Sequence, residues 1–447
     1  MFSTRPIPSV LLLLSAIGIS ACSDRSQLDP ATTFGSEPTL VEPDATLIPT
    51  VNIADAVGWP EGNKPTTALN ALQVSPFAKN LDHPRWLYTL PNGDVLVAES
   101  NKPQKHDEEG GIKQWITKKV MSKAGAGSPS ADRITLLRDA DKDGIAETKT
   151  TFLSDLHSPF GMVLVGNTLY VANTDAIVSF PYEQGQTEIT AGSNEVIKLP
   201  AGKLNHHWTK NIVASKDGTK LYASIGSNSN IAENGFDAER GRAAIWEINI
   251  ASGEHRIFAS GLRNPVGMTW VGNTLWTSVN ERDELGNDLV PDYMTSVQDG
   301  AFYGWPYSYY GQHIDTRVEQ RAPELVKKAL KPDYALGAHT ASLGLFYTDG
   351  KHNLHDIGQG MFIGQHGSWN REPRAGYKVL FVPFSDQQPA GKPIEILSGF
   401  LSQDGQAQGR PVGVEINKQG DLLVADDVGN IIWRVSSSDS NITHNPN

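Results

Sequence analysis

The adjacent histidines His206 and His207 carry the most readable chemistry in the sequence. An imidazole is the usual proton acceptor near neutral pH. Trp208 follows the pair and begins an alternating apolar run, which places both histidines where a loop enters a strand. The pattern indicates a proton-transfer site, and the alternative is a pair of ordinary surface histidines.

The dipeptide Arg263-Asn264, within GLRNPVGMTW, is the second candidate. A guanidinium can bind a carboxylate through two parallel hydrogen bonds, so this position favours an anionic ligand. The alternative is an arginine that bridges backbone carbonyls between structural units.

Residues 279–311 form the third candidate, because an acidic loop there is followed by an aromatic cluster. Carboxylates separated by Gly and Pro can offer oxygen ligands to a hard cation such as calcium. The acidic residues are Glu281, Asp283, Glu284, Asp288 and Asp292. The aromatic residues, which suit a sugar ring or a planar cofactor or simply pack between sheets, are Phe302, Tyr303, Trp305, Tyr307, Tyr309 and Tyr310.

A separate stretch, DADKDGIAE at residues 139–147, has the spacing of a calcium loop. It places oxygen atoms at alternate positions around a glycine turn, through Asp139, Asp141, Asp143 and Glu147. We expect a structural calcium site here, and the alternative is an Asp-rich hairpin turn.

A repeated unit must position these residues. DLHSPFGMVLVGNTLYVA at residues 155–172 and GLRNPVGMTWVGNTLWTS at 261–278 are copies of one pattern, and further copies start at residues 81, 207 and 409. A more divergent copy is GQGMFIGQHGSW, which ends at Trp369. Each copy has alternating apolar runs around a Gly turn, as a β-hairpin does. Units of about 50 to 85 residues predict an all-β fold, a six-bladed β-propeller of four-stranded antiparallel sheets. Another blade count is the alternative.

In a propeller the loops between blades gather at one end of the central channel. The residues that precede each first strand should therefore meet in one pocket. They are Asp82, His83, His157, Ser158, His206, His207, Arg263, Asn264 and Arg410.

Composition limits the function classes and the domains. The formal net charge is -12 and no basic run occurs, which argues against a nucleic-acid partner. The apolar run before Cys22 is typical of a secretory signal, and the tetrapeptide ISAC resembles a bacterial lipobox. We expect a lipoprotein-type signal at 1–22, a tether and N-terminal arm at 23–68, the propeller at 69–436 and a polar tail at 437–447. The protein would then be exported, periplasmic and anchored to a bacterial membrane by lipid on Cys22; a plain signal peptide is the alternative.

Taken together, GLRNPVGMTW, FYGWP, NERDELGNDLVPDY and ALGAHTASLGL resemble the pyrroloquinoline quinone-dependent soluble aldose sugar dehydrogenases and their L-sorbosone dehydrogenase branch. The similarity covers residues 70–436. It implies a six-bladed propeller that uses pyrroloquinoline quinone and calcium to oxidise a sugar or sugar aldehyde, with an external electron acceptor.

By this resemblance His207 matches the catalytic base. His206 stands where the glucose-oxidising branch has an aspartate, so the substrate pocket, which includes Trp208, differs there. Arg263 and Asn264 match the cofactor-contacting pair.

The resemblance implies calcium ligation at Glu281 and Arg282, through the backbone carbonyls of these two positions. It also implies further pocket residues, with looser register. His339, His366, Arg371 and Arg374 are expected near the cofactor, with Trp369 and Asn370 as additional donors, and His157 near the substrate. His339 could equally be a satisfied core histidine.

Two other functions stay open on this sequence. A calcium-dependent lactonase also pairs histidines with a central calcium, although it has no tricarboxylate for Arg263 to bind. A non-catalytic propeller that binds glycans or protein partners would leave the histidines, the arginine and the acidic loop unexplained.

Overall fold

A closed ring of six small antiparallel sheets forms the body of the protein in the computed structural model, which describes residues 25–44, 50–103 and 128–438. The N-terminal arm carries the short strand β1 (Phe34–Gly35) and leads into β2 (Leu72–Ala78). The prediction of a six-bladed β-propeller is confirmed.

The first three blades follow one another along the chain, each with its strands in sequence order. Blade 1 contains β3 (Pro84–Thr89), β4 (Val95–Glu99), β5 (Arg133–Arg138) and β6 (Thr148–Leu153). Blade 2 contains β7 (Met162–Val165), β8 (Thr168–Ala172), β9 (Ala176–Pro181) and β10 (Asn194–Lys198). Blade 3 contains β11 (Lys210–Ala214), β12 (Lys220–Ile225), β13 (Ala244–Asn249) and β14 (His255–Ser260).

Blades 4 and 5 each have four strands and a short fifth one. Blade 4 contains β15 (Pro265–Val271), β16 (Thr274–Val279), β17 (Pro291–Val297) and β20 (Tyr334–Ala338), with β1 added at its edge. Its long insertion holds the ribbon β18 (Ser308–Tyr309) and β19 (His313–Ile314) and the helix α1 (Pro323–Val326). Blade 5 contains β21 (Ser342–Thr348), β22 (Gly360–Gln365), β23 (Lys378–Ser385) and β25 (Ile394–Leu397), and β24 (Gln388–Pro389) extends β23.

Blade 6 joins the two ends of the propeller. It contains β26 (Pro411–Ile416), β27 (Leu422–Asp426) and β28 (Ile431–Ser437), and β2 pairs with β28 as the outermost strand. The register pairs Leu72 with Ser437. Because one sheet contains strands from both ends of the chain, the ring cannot open without breaking a β-ladder.

The divergent repeat ending at Trp369 does not begin a blade. Its GMFIGQ run is β22, the second strand of blade 5, and the first strand is β21. β21 lacks the proline that opens most of the other inner strands, so the repeat pattern does not reveal it.

The inner strands β3, β7, β11, β15, β21 and β26 contact one another in that order and close on themselves. The Pro-x-Gly-Met motif of the twin repeats has its physical reason here. A Cβ on Gly267 would lie 2.4 Å from the Cβ of Leu345 on β21, and one on Gly161 would lie 2.5 Å from the backbone nitrogen of Ile212 on β11. Glycine at this position therefore allows neighbouring inner strands to approach closely.

Each interface between successive blades has its own buried apolar cluster within the described part of the chain. Phe152 and Val171 lie between blades 1 and 2, for example, and Trp276 with Ile363 between blades 4 and 5.

The helical segments of the described residues are the helix α1 and the 3-10 turns Pro30–Thr32 and Phe236–Glu239. In the same residues we find no helix of the length and apolarity that crossing a bilayer requires. The predicted signal and Cys22 lie outside the described residues.

Candidate active site

Loops that precede the inner strands and follow the second strands meet at one end of the channel. Arg263 in front of β15 reaches the loop after β16 of the same blade, and Asp427 after β27 of blade 6 reaches both neighbouring blades, 1 and 5. The guanidinium carbon of Arg85 lies 5.8 Å from the ring centroid of Trp208 in blade 3. These contacts join some of the loops that the sequence predicted to converge, whereas His157 makes its contact elsewhere.

His207 is held in one tautomer by the loop that follows β12. Its Nδ1 lies 2.8 Å from the carbonyl oxygen of Ser227, which can only accept, so Nδ1 carries the proton and Nε2 is free to accept one. Burial lowers the pKa of His207 well below 6.5, and the positive charge of Arg263 lowers it further. The ring is thus a neutral proton acceptor at neutral pH. His206 is exposed beside it, with the two ring centroids 4.7 Å apart and the planes near perpendicular.

A fully buried lysine, Lys210, lies behind this histidine at the start of β11. Its Nζ donates to the carbonyl oxygens of His207 at 3.3 Å and Trp208 at 3.2 Å. Burial lowers the pKa of Lys210 well below its usual value. Lys210 therefore fixes the backbone that carries the candidate base, and the sequence analysis did not identify it.

Arg263 is buried and bridges two loops, which is the arrangement weighed as the alternative to ligand binding. Its Nη1 donates to the carbonyl oxygen of Glu281 at 2.6 Å, and Nη2 to the side-chain oxygen of Asn230 at 3.1 Å. Nη2 also lies 3.3 Å from a carboxylate oxygen of Asp283. The guanidinium is thus a fixed positive charge beside His207.

Asn264 points into the space between His207 and blade 4. Its Oδ1 is buried without a hydrogen-bond partner among the described residues. A Cβ on Gly226 would lie 2.3 Å from this oxygen and 2.6 Å from the Cβ of His207, so glycine is needed for the two side chains to sit side by side. An unpartnered buried amide oxygen is costly, which favours a ligand that donates to it.

Asp283 is the centre of a first polar cluster. Its carboxylate accepts from Arg263, from Asn370 Nδ2 at 2.9 Å and from His339 Nδ1 at 3.2 Å. Burial raises the pKa of Asp283, but the hydrogen bond from His339 and the charge of Arg263 outweigh it and lower the pKa to about 2. Burial lowers the pKa of His339, but Asp283 outweighs it and raises that pKa. His339 also bonds the carbonyl oxygen of Gly286 at 2.9 Å, so both of its ring nitrogens have partners.

Asp427 is the centre of a second cluster; the sequence analysis named His83, His366 and Arg410 but missed Asp427 and Arg85. It accepts from Arg85, lies 2.9 Å from Nε2 of His366 and 3.5 Å from Nε2 of His83. Burial lowers the pKa of His366 to about 4 although Asp427 opposes this. Nε of Arg85 and Nε of Arg410 are buried without partners in the described chain. Arg85 follows the repeat's proline by one position, and attention to both sides of that proline could have found it.

Three predicted pocket residues make their contacts elsewhere. His157 is exposed and pairs with Asp175 at 2.8 Å. Arg371 donates to the carbonyl oxygen of Asn287, and Arg374 donates to carbonyl oxygens of Asn52, Ile53 and Gly405. None of these partners belongs to the Asp283 or Asp427 cluster. The substrate role of His157 and the cofactor roles of Arg371 and Arg374 stay predictions.

The two predicted calcium positions differ. At the channel, the carbonyl oxygen of Glu281 is occupied by Arg263, and the side chain of Arg282 forms a buried ion pair with Asp315. Burial raises the pKa of Glu281 to about 7. In the β5–β6 turn, by contrast, one ligand oxygen from each of four carboxylates lies within 4.8 Å of the others, from Asp139, Asp141, Asp143 and Glu147. The geometry there fits the expected calcium loop, and ion binding stays a prediction at both positions.

Comparisons with known proteins agree with this architecture. The holo pyranose dehydrogenase PQQ domain from Coprinopsis cinerea superposes with a TM-score of 0.65 at 19% identity, over 86% of this chain and 100% of that one. At this identity the likeness shows the fold.

Two relatives match by sequence. An uncharacterized protein of Borreliella burgdorferi is 29% identical over 297 residues, 64% of this chain and 77% of its own length. The pyrroloquinoline quinone-dependent pyranose dehydrogenase of Coprinopsis cinerea is 23% identical over 378 residues, which is 73% of this chain and 46% of the enzyme. The chain thus spans about half the length of that enzyme.

A family model described as TrAA12-like matches residues 130–301 and 312–438. These ranges contain blades 2 to 5, the three strands that the C-terminal part contributes to blade 6, and both outer strands of blade 1. They also contain His207, Arg263, Asp283 and Asp427. The chain belongs to the TrAA12-like family.

Proposed function

We propose that the protein is a pyrroloquinoline quinone-dependent dehydrogenase that oxidises an aldose sugar or a sugar aldehyde of the sorbosone type. One observation carries the proposal: Nε2 of the neutral His207 ring has no hydrogen-bond partner among the described residues, and it lies near the fixed charge of Arg263 and the Asn264 oxygen that likewise lacks one. The similarity to the Coprinopsis pyranose dehydrogenase supports this choice of cofactor and substrate class.

The residues present fit a planar tricarboxylate. Arg263, whose own donors go to loop carbonyls, Asn230 and Asp283, gives the site a fixed positive charge. Arg85 and Arg410 are buried cations whose Nε atoms have no described partner. Such donors bind carboxylates strongly, and Asn264 can accept from a group on the same ligand. These residues would hold the cofactor. When bound, the quinone supplies the electrophilic carbonyl that takes hydride from the substrate carbon.

The chain's own part of the reaction is proton transfer. Nε2 of His207 takes the proton of the hydroxyl on the carbon that is oxidised, which for a sugar aldehyde is a hydroxyl of its hydrate. The resulting imidazolium keeps its Nδ1–H bond to the Ser227 carbonyl. Lys210 holds the His207 backbone so that this nitrogen keeps its direction. We assign His206 and Trp208 to the substrate side of the pocket, since His206 is the exposed member of the pair.

The cofactor proposal includes calcium, which would act as a Lewis acid at the channel, and an external electron acceptor that reoxidises the quinone.

We further propose that the protein is exported to the periplasm and anchored through lipid on Cys22. Labelling with a fatty acid should mark the wild-type protein in a bacterial host, whereas Cys22→Ser should abolish the label and release the protein from the membrane fraction.

Reconstitution of the apo-protein tests the activity. Pyrroloquinoline quinone and calcium should produce dye-coupled oxidation of at least one member of a panel of aldoses and sugar aldehydes. His207→Ala should reduce turnover by about 10²- to 10⁴-fold, the usual contribution of a general base, and leave quinone binding intact. His355→Ala is the matched control, because His355 is an exposed histidine of blade 5 outside both polar clusters.

Absence of both quinone binding and turnover across the panel would refute the proposal. Hydrolysis of a lactone by the same protein without quinone would instead identify a lactonase. Binding of a glycan with neither activity would identify a non-catalytic propeller.

A further inference from the structure

The N-terminal arm holds two loops of the channel together. Oγ of Ser26 donates to Oδ1 of Asp288 at 2.6 Å, and the backbone nitrogen of Gln27 donates to Oδ2 of Asp288 at 2.8 Å. From the other loop, Nη2 of Arg371 donates to Oγ of Ser26 at 2.7 Å and to Asp288 at 3.1 Å. We call Ser26, Asp288 and Arg371 the clasp.

A second piece of the arm reinforces the same place. The backbone nitrogen of Asn52 donates to the carbonyl oxygen of Trp369 at 2.8 Å, and Nδ2 of Asn52 donates to the carbonyl oxygen of Arg371 at 2.9 Å. Arg374 donates two hydrogen bonds to the arm, to the carbonyl oxygens of Asn52 and Ile53. The loop after β22 is therefore tied to the arm on both sides of Arg371.

The clasped loops carry two members of the Asp283 cluster, Asp283 itself and Asn370. Asp283 lies five residues before Asp288, and Asn370, which donates to Asp283 at 2.9 Å, immediately precedes Arg371. Between Asp283 and Asp288, the carbonyl oxygen of Leu285 accepts from the backbone nitrogen of Asp44, a third arm contact. Both charged side chains of the clasp are 8% exposed, so their ion pair is shielded from water.

We propose that the N-terminal arm is part of the active site and that Ser26, Asp288 and Arg371 are positioning residues for the Asp283 cluster. Loops of a propeller sample open conformations unless other contacts hold them. The clasp adds contacts between two such loops without occupying the channel. It fixes Asp283 relative to Arg263, and hence the charge beside His207. The contacts of the clasp are observed in the structure, whereas the effect of the clasp on turnover rests on the proposed function.

Hydrogen–deuterium exchange on the full-length apo-protein tests the geometry. Ser26→Ala removes a hydroxyl that bonds both Asp288 and Arg371, and amide exchange should rise severalfold in peptides from residues 281–290 and 366–376. Ser26→Thr keeps the hydroxyl and should restore slow exchange. Thr32→Ala is the matched control, because Thr32 is an exposed arm residue whose hydroxyl donates only within the arm, to Asp29.

Turnover gives the second readout. With quinone and calcium, kcat of Ser26→Ala should fall about tenfold, as expected for misplaced catalytic geometry, while the melting temperature changes by less than about 3 °C. Unchanged exchange in both loops would overturn the proposal, and so would raised exchange together with full turnover. If the wild type has no quinone-dependent turnover but Ser26→Ala still raises exchange, the clasp is supported and the proposed function fails.

Discussion

At the scale of single residues, the chemistry of the site depends on the hydrogen-bond partner of each polar atom. The carbonyl oxygen of Ser227 accepts a hydrogen bond from Nδ1 of His207, so Nε2 remains as the acceptor. Arg263 makes its contacts with loop carbonyls and Asp283, so its contribution to His207 is electrostatic. Tautomer and charge together make His207 a base at neutral pH.

The pH profile should show this. The base is active when neutral, and its pKa is lowered by burial and by Arg263, so activity should persist as pH falls through 6.5 and decline only at lower pH. Arg263→Gln removes a positive charge that opposes protonation, so the pKa of His207 should rise towards 6.5. NMR titration of the apo-protein measures this without turnover. Arg256→Gln, an exposed arginine of β14, should leave the titration unchanged.

At the scale of elements, the β5–β6 hairpin turn places the predicted calcium loop next to the closure of the ring. The turn packs against the last blade: a Cβ on Gly144 would lie 2.2 Å from Nη1 of Arg434 on β28, and Ala146 donates to the carbonyl oxygen of Phe77 on β2. Four carboxylates converge there, and burial is the main reason that the pKa of Asp139 is raised. A cation would relieve their mutual repulsion.

Calcium should therefore stabilise the folded protein through this turn. Calcium at about 100 times its Kd should add about 2.7 kcal/mol to the free energy of unfolding, which thermal melts with and without chelator can measure. Asp141→Asn should reduce this gain. Asp404→Asn, which changes an exposed carboxylate outside the turn, should keep it. An equal calcium response in both variants would contradict a site in this turn.

At the scale of the whole molecule, stability depends on one strand pair that joins sequence positions more than 350 residues apart. β2 completes blade 6, so every blade is packed between two neighbours. The side chains of Gln73 and Ser436 meet across this pair at 3.3 Å. Unfolding should therefore begin with separation of these strands.

A disulfide across the closure should stabilise the ring. With Cys22 replaced by Ser, Gln73→Cys and Ser436→Cys should raise the free energy of unfolding by about 2–4 kcal/mol when oxidised, because the cross-link restricts the unfolded chain. Guanidinium unfolding of the oxidised and reduced forms measures the gain. Equal stability of the two forms would contradict the expected stabilisation by the cross-link.

The sequence by itself determined the repeating unit and predicted six blades, while it left another blade count open. Alternating apolar runs, Gly turns and the Pro-x-Gly motif are local signals, because side-chain alternation in a strand and close approach at glycine involve few neighbouring residues. The same signals placed His207, Arg263 and Asn264 in front of their inner strands. The repeat pattern did not predict strand β21 of blade 5, because that strand lacks the proline.

Only the tertiary structure decided which side chains that are distant in the sequence contact one another. Arg85 and Asp427 are 342 residues apart, and the ring brings them together because its first and last blades are neighbours. The roles of Arg371 and Arg374 depend on an arm whose path no local pattern encodes. Residue types and spacing fix a strand and its turns, whereas partners across the channel follow from closure of the ring.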